Sequence, residues 1–395
     1  MEQRRKNLTQ LFIPICLETL LYMLSGMVDT LMLSSVNDQA VGAVGTANTY
    51  IGIFIIMFSV ISSGMVAVMT QNIGAGRPGV AYQARQLGLA FNAVLGVIMS
   101  LFLSLGAGTI LSGVGVADAL MQPAKTYLQI VGGFCILNAL IPICSSYLRA
   151  FGFSKEPLYA SIIGNVINFC LNAFFLFVLH KGVAGVATAT VISRIINLVI
   201  VVLLGAVLVK AKQHPERESN RAVMGQIIRI GLPSACETAI YNVSMTLVIR
   251  FLNQMDAQGL NVTARSYTMQ ITNFSYCVGA ALAQANAIMT GWHIGAKEYD
   301  ACDRGTKKAA VIGVIVAVIL ETVFTLCSGW IMQLFSKDPQ MVSLVGKLLA
   351  IDIVLEIGRV TNLVYGQALK TSGDAVFPVV MGACFMILCL SLIHI

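Results

Sequence analysis

Charged residues are scarce in this sequence. They account for 11% of its 395 residues, whereas hydrophobic residues account for 57%. A soluble domain carries about 25% charged residues, so this composition cannot cover a water-exposed surface of such a size. It excludes an ordinary cytosolic enzyme, a nucleic-acid-binding protein and a disordered chain. The sequence predicts instead an all-α integral membrane protein, with the lipid bilayer as a partner and no nucleic acid.

Motifs for nucleotide-driven or catalytic chemistry are missing as well. The sequence has no Gly-rich turn that ends in Lys and then Ser or Thr, no His-Glu-x-x-His metal motif and no Gly-x-Ser-x-Gly nucleophile turn. Its 10 cysteines form no Cys-x-x-Cys pair, which argues against a zinc site or a disulfide framework. We therefore predict that the protein is not an enzyme and has no cofactor. An ion gradient is the expected energy source, since one charge crossing 100 mV releases about 2.3 kcal/mol.

Long apolar segments fill most of the chain, and about 20 apolar residues suffice for one membrane-spanning helix. We predict about 11 spans, at 10–34, 45–73, 86–111, 125–150, 157–179, 183–209, 226–252, 267–292, 308–335, 341–367 and 376–395. With the N-terminus in the cytoplasm, 17 Lys and Arg residues lie on the cytoplasmic side, 5 on the other side and 3 within spans. This asymmetry predicts a multi-pass protein of the inner (plasma) membrane with a cytoplasmic N-terminus.

The two halves of the sequence resemble each other. Segment 14–18 matches 233–237, segment 69–75 matches 289–296, and Gly152 with Pro157 matches Gly373 with Pro378. Such a repeat predicts two six-helix lobes of equal orientation, twelve helices in all. We assign 1–209 to an N-terminal lobe with the cation site, 210–229 to a cytoplasmic linker and 230–395 to an incomplete C-terminal lobe. The chain stops within the eleventh span, so we expect a truncated fragment whose last residues need not be native.

Carboxylates within apolar segments are the most informative side chains, because a charge at the bilayer centre costs about 2.5–3.5 kcal/mol. Asp29 lies within the first span, and Glu18 lies eleven residues earlier. Helical geometry brings both to one face, which must look into the protein or a wet cavity. A cation-binding or protonatable role is favoured for Asp29 over a packing role. For Glu18, the two roles are equally plausible.

Amide and hydroxyl side chains follow in the next candidate segments. Asn165, Asn168 and Asn172 are spaced by three and four residues, which puts them on one helix face. They could bind Na⁺ or a carboxylate, or could hold helices together. Thr190 could add a hydroxyl from the sixth span, although helical threonines often bond their own backbone.

The second half offers further candidates for substrate binding or ion coupling. Asp352, Glu356 and Arg359 share one helix face, and a structural ion pair between Glu356 and Arg359 is the favoured interpretation. Glu237 repeats Glu18 in the second half.

Several motifs together resemble the multidrug and toxic compound extrusion (MATE) transporters. They lie at 14–18, 28–30, 71–76, 148–157, 163–168 and 182–190. The resemblance covers the whole chain. It implies a two-lobed, monomeric efflux antiporter that exchanges Na⁺ or H⁺ for organic, often cationic, compounds by alternating access.

In one bacterial branch, the resemblance implies that Asp29 is the ion-linked carboxylate, with Asn168, Asn172 and Thr190 beside it. Asn172 departs from that branch, where this position can be Asp. Another branch uses carboxylates of the C-terminal lobe, for which Glu237, Asp352 and Glu356 are candidates. The segment after Asp374 has no acidic or amide residue, so we predict the cation site in the N-terminal lobe.

Three other functions compete with an antiporter. A lipid-linked precursor flippase of the same superfamily would share the architecture but needs a more cationic cavity, and only Arg194, Arg250 and Arg359 lie within spans. A membrane-embedded enzyme would need a catalytic constellation that no motif supplies. A receptor or scaffold is weakly disfavoured by the intramembrane carboxylates.

Overall fold

A computed structural model describes residues 6–35, 38–113, 116–209, 215–255, 260–333 and 338–394. These ranges are almost entirely helical and contain no strand. Helices satisfy every backbone hydrogen bond within one segment, which an apolar chain in lipid requires. The predicted all-α class is confirmed.

Thirteen α-helices occur in the described ranges. In chain order they are α1 (Leu8–Ser34), α2 (Asp38–Gly74), α3 (Pro78–Gly113), α4 (Asp118–Tyr127), α5 (Ile136–Ala150), α6 (Lys155–Ala173), α7 (Gly182–Leu208), α8 (Asn220–Met255), α9 (Leu260–Gly295), α10 (Tyr299–Leu326), α11 (Ser328–Met332), α12 (Pro339–Ser372) and α13 (Val376–His394). Short π-helical turns follow α4 at Leu128–Gly132 and α6 at Phe174–Val178.

Helices occupy the eleven predicted spans, but fewer of them than predicted are apolar enough to cross a membrane. Among the described residues, six helices are long and apolar enough to cross a membrane, namely α1, α2, α3, α6 with its π-helical turn, α7 and α10. A seventh span is possible if α4 and α5, which bend by 43° at their junction, count as one. Helices α8, α9 and α12 are as long as their counterparts but less apolar. Polar residues therefore accumulate in the second half.

The largest buried apolar cluster joins helices from both halves. It includes Leu11 of α1, Met65 of α2, Ile227 of α8, and Ala285 and Ile288 of α9. Accordingly, α2 packs against α8 and α9, and α1 packs against α9. These contacts lie toward the helix ends that the Lys and Arg distribution assigns to the cytoplasm. The halves therefore meet on that side of the molecule.

Glycine allows the closest of these contacts. A Cβ atom added to Gly64 of α2 would lie 2.0 Å from the carbonyl oxygen of Ile227, and one added to Gly231 of α8 would lie 1.8 Å from that of Val60. Any side chain at either position would push α2 and α8 apart. We call this contact between Gly64 and Gly231 the glycine seam.

Further contacts close the same side of the molecule. A Cβ atom on Gly74 would lie 2.1 Å from the carbonyl oxygen of Trp292. The Trp292 indole donates a hydrogen bond to the Ala150 carbonyl at 2.9 Å, and Gln71 Nε2 donates one to the Thr371 carbonyl at 2.6 Å. Each of these bonds connects the first half of the chain with the second.

The segment predicted as a linker, 210–229, is partly helical. Residues 210–214 lie outside the described ranges, and α8 begins at Asn220, within the predicted linker. Its remaining residues bind the start of α3. Arg77 pairs with Glu218 at 2.5 Å, and Gln83 Nε2 donates to Asn220 Oδ1 at 2.5 Å. Residues 217–220 therefore lie against the start of α3.

Candidate functional site

A cavity of about 750 Å³ lies among the helices of the first half. Helices α1, α2, α5, α6 and α7 contribute most of its wall, and Gln284 of α9 reaches it from the second half. Glu18 and Asp29 both line it, which confirms that the two carboxylates of α1 face the same interior space. Its polar lining also includes Asn48, Asn138, Asn165, Asn168, Thr190, Ser193, Arg194 and Asn197.

Asp29 is held by the predicted amide face of α6. Its Oδ1 atom accepts a hydrogen bond from Asn172 Nδ2 at 2.6 Å, and the same nitrogen lies 3.1 Å from Asn168 Oδ1. Asn172 is fully buried and Asn168 nearly so. The three side chains form a continuous polar chain from α1 to α6. The amide oxygen of Asn172 has no hydrogen-bond partner among the described residues.

Thr190 and Asn165 line the same cavity but make different contacts. The Thr190 hydroxyl donates to the Val186 carbonyl of its own helix at 2.9 Å, as helical threonines commonly do. Thr190 nevertheless lines the cavity. Asn165 is half-buried. Asp29, Asn168, Asn172 and Thr190, the predicted cation-site residues, therefore lie in one region. Among the described residues, the hydrogen bonds near Asp29 come from the amides of α6 and not from Thr190.

Arg194 is a cavity residue that the sequence analysis placed within a span but did not assign to the site. It lies on α7 and lines the cavity together with Asp29, on whose carboxylate its positive charge acts. The signal in the sequence was its spacing of four residues from Thr190, which puts both on one face of α7. The cavity therefore contains positive as well as negative side chains.

Glu18 forms an ion pair at another part of the cavity. Its Oε2 atom lies 2.5 Å from Nη2 of Arg149 at the end of α5, and the Ser161 hydroxyl donates to its Oε1 at 3.3 Å. Arg149 also donates to Gln284 Oε1 of α9 at 3.1 Å. This network connects α1 and α5 with the second half of the chain.

Glu237 makes the corresponding contact in the second half. Its Oε2 atom lies 2.5 Å from Lys370 Nζ. Glu237 occupies the repeat position of Glu18, and Lys370, three residues before Gly373, occupies that of Arg149. The ion pair of Glu237 with Lys370 in the second half therefore corresponds to that of Glu18 with Arg149 in the first half. This shared contact explains why the two glutamates occupy matching positions in the repeat.

The predicted ion pair between Glu356 and Arg359 of α12 also includes Asp352. Arg359 contacts Glu356 closely and reaches Asp352 Oδ1 at 3.1 Å. Glu321 of α10 joins them, because carboxylate oxygens of Glu321, Asp352 and Glu356 all lie within 4.8 Å of one another. We call these three residues the C-half carboxylate cluster. None of them lines the cavity of Asp29.

Sequence reasoning missed Glu321 because nothing in the linear pattern relates α10 to α12. Only the packing of these two helices against each other brings the carboxylate to its neighbours. Within the described residues, this cluster is the one group of acidic, His or Cys side chains spaced to hold a metal ion.

These observations define a class. A bundle of long apolar helices encloses a polar cavity with an intramembrane carboxylate, and helices of the two halves pack against each other. Such an architecture is that of a multi-pass membrane transporter with a two-fold repeat.

Comparisons with known proteins identify the family. The MatE family model matches residues 14–174 and 233–395. The chain therefore belongs to the MatE family, which consists of membrane transporters rather than enzymes. It is 33% identical over 374 residues to the "uncharacterized transporter YisQ" of Bacillus subtilis, covering 93% of this chain and 82% of that protein.

More distant relatives point the same way. The chain is 22% identical over 391 residues to the "probable multidrug resistance protein NorM" of Thermotoga maritima, covering 95% of this chain and 82% of the relative. A solved structure described as the outward-facing conformation of a multidrug resistance MATE family transporter matches with a TM-score of 0.85 and 16% identity. That match covers 95% of this chain and 84% of the other. The predicted family is confirmed.

Proposed function

We propose that this protein is a secondary active efflux antiporter that exchanges Na⁺ or H⁺ for organic, often cationic, compounds. One observation carries the proposal: Asp29, a carboxylate within the first membrane span, faces a polar cavity and is bound by Asn172 at 2.6 Å. A carboxylate at membrane depth marks an ion or substrate pathway. The relative from Thermotoga maritima, a probable multidrug resistance protein, supports export as the direction of transport.

In this proposal, Asp29 binds the incoming ion with help from Asn168, Asn172 and Thr190. Ion binding neutralises the carboxylate and weakens its hold on a cationic substrate, which then leaves on the outer side. The two halves rock about the cavity, in the plasma membrane and with the N-terminus in the cytoplasm. The protein acts as a monomer.

The test uses inverted membrane vesicles from an efflux-deficient bacterium that expresses the chain. A fluorescent cationic dye is followed while a Na⁺ gradient or a pH gradient is imposed separately. One of the gradients should drive dye movement, and Asp29→Asn should abolish it because an amide cannot exchange a proton or pair with Na⁺ at full charge. Asp118→Asn serves as the matched control, since Asp118 is exposed at the start of α4, away from the cavity lining.

Full gradient-driven transport by a well-expressed Asp29→Asn variant would disprove the proposal. A second candidate is a flippase for lipid-linked precursors, which Arg194 favours because a guanidinium in the cavity suits an anionic headgroup. Absence of dye movement under both gradients, together with translocation of a fluorescent phospholipid-linked substrate that Arg194→Gln abolishes, would favour this flippase.

A further inference from the structure

The cavity of the first half is lined by equal numbers of acidic and basic side chains. Among the described residues, its charged lining consists of Glu18, Asp29, Arg149 and Arg194. Glu18 and Arg149 compensate each other through their ion pair at 2.5 Å. Within the described part of the chain, neither Asp29 nor Arg194 forms an ion pair. The cavity therefore holds one uncompensated negative charge and one uncompensated positive charge.

Arg194 belongs to a polar face of α7. Thr190, Ser193 and Asn197 lie within one turn of it on that helix, and all four line the cavity. The Asn197 Oδ1 atom has no hydrogen-bond partner among the described residues. A buried amide without a partner is unfavourable, so Asn197 gains a hydrogen bond if its side chain turns toward a ligand beside Arg194.

The remaining lining carries many hydroxyl and amide groups and few aromatic rings. Its aromatic side chains, among the described residues, are those of Tyr22 and Tyr127. Large aromatic cations are bound mainly by apolar and aromatic side chains. A small hydrophilic ligand fits this lining better, and the volume of about 750 Å³ gives it ample room.

We infer that the cavity selects zwitterionic substrates that carry an ammonium group and a carboxylate, as free amino acids and short peptides do. Asp29 accepts hydrogen bonds from the ammonium group, and the planar fork of Arg194 donates two to the carboxylate. The inference rests on the proposed function, because it names a substrate class for the same cavity. In this arrangement Asp29 binds the positive group of the substrate, and Arg194 determines which substrates are accepted.

The experiment measures ligand binding to the purified chain in lipid nanodiscs without any ion gradient. Thermal unfolding is followed in titrations with L-alanyl-L-glutamine, with its C-terminal amide and with its N-acetyl derivative. These compounds have similar sizes but are a zwitterion, a cation and an anion, and a ligand of the folded state raises the unfolding temperature. L-glutamine and its two derivatives form a second, smaller series. In at least one series, the zwitterion should bind about ten-fold more tightly than either derivative, because each derivative lacks one charge-assisted contact.

Variants test which residue recognises which charge. Arg194→Gln should weaken binding of the zwitterion about ten-fold and leave binding of the C-terminal amide unchanged. Asp29→Asn should likewise weaken binding of the zwitterion but not of the N-acetyl derivative. A purely structural role would weaken all three compounds alike. Arg250→Gln is the matched control, since Arg250 is exposed on α8 and lies outside the cavity lining.

A folding defect of Arg194→Gln would not prevent the test. Arg194→Lys keeps the charge but lacks the planar fork, so it should weaken binding of the zwitterion and leave that of the C-terminal amide unchanged. The inference is overturned if neither zwitterion raises the unfolding temperature, or if the C-terminal amides bind as tightly as the zwitterions. Retention of the preference for the zwitterion in the folded Arg194 variant would overturn it too.

Failure of this inference can be distinguished from failure of the proposed antiport. Gradient-driven dye export without binding of either zwitterion would overturn the inference and leave the antiporter standing. Selective binding of a zwitterion without dye export under either gradient would support the inference and count against coupling to Na⁺ or H⁺.

Discussion

Glu18 and Arg149 form an ion pair that is largely shielded from water, with 15% and 10% of the side chains exposed. Removal of one partner from a buried pair costs about 3–5 kcal/mol because the other charge stays behind, and partial exposure reduces this figure. The hydrogen bond from Arg149 to Gln284 extends the pair to α9. The pair therefore matters both for the stability of the first half and for its contact with the second.

Glu18→Leu should lower the unfolding temperature, at a cost of about 1–3 kcal/mol, because it strands the guanidinium of Arg149. The double variant Glu18→Leu with Arg149→Met should recover part of the loss. Thermal unfolding in nanodiscs measures both. Asp303→Asn is the control, since it breaks the exposed pair with Lys307 at 2.7 Å and should have no measurable effect. A double variant that is less stable than the single one would contradict this account.

At the scale of whole helices, the stability of the protein depends on how closely the helices pack. Helices α2 and α8 approach until backbone touches backbone, and only glycine permits this at positions 64 and 231. Overpacking typically costs about 1–3 kcal/mol. In contrast, alanine normally stabilises a helix relative to glycine by about 0.5–1 kcal/mol. Replacement of glycine by alanine should therefore lower the stability of the protein inside the glycine seam and raise it outside the seam.

Gly64→Ala and Gly231→Ala should each lower the unfolding temperature, because the new methyl group forces α2 and α8 apart. Gly52→Ala on α2 and Gly225→Ala on α8 should leave it unchanged or raise it, since no atom lies within 4 Å of a Cβ at either position. The four variants are compared by thermal unfolding in one lipid. Equal effects on the seam and control positions would show that the close contact does not contribute to stability.

In the part of the chain that the structure describes, close contacts between the two halves lie on the predicted cytoplasmic side. The glycine seam, the bond from Trp292 to Ala150 and the bond from Gln71 to Thr371 all lie there, while the cavity of Asp29 lies in the first half. The alternating access proposed above would require these contacts to break together. A change of about 1.4 kcal/mol in the free energy of these contacts shifts the ratio of closed to open molecules tenfold.

The fluorescence of Trp292 should report whether the contacts between the two halves open. The chain has 2 tryptophans; Trp292 is 3% exposed at the contact between the halves, and Trp330 is 71% exposed. In a Trp330→Phe background, the remaining emission should be blue-shifted and poorly quenched by acrylamide. Addition of Gly64→Ala should shift it to the red and increase quenching, because opened molecules expose the indole to water. Addition of Gly52→Ala should change neither the emission nor the quenching. Equal quenching in the two double variants would contradict the prediction that the glycine seam keeps Trp292 buried.

Much of this architecture could be predicted from the sequence alone. Backbone groups in lipid must be satisfied within each segment, so uninterrupted apolar runs dictated where the helices lie. The spacing of Asn165, Asn168 and Asn172 dictated a shared face, and helical geometry aligned Glu18 with Asp29. These are local properties, fixed by the 3.6-residue period of one helix.

Only the tertiary structure decided which faces meet. The bond between Asn172 and Asp29 joins α6 to α1, and the contact of Glu321 with Asp352 and Glu356 joins α10 to α12. Neither pairing leaves a trace in linear spacing, which is why Glu321 was not among the residues predicted for a site. The closure of one side likewise depends on backbone contact between distant glycines. The physical reason is that helix periodicity specifies a face, whereas the partner of that face follows from how the whole bundle packs.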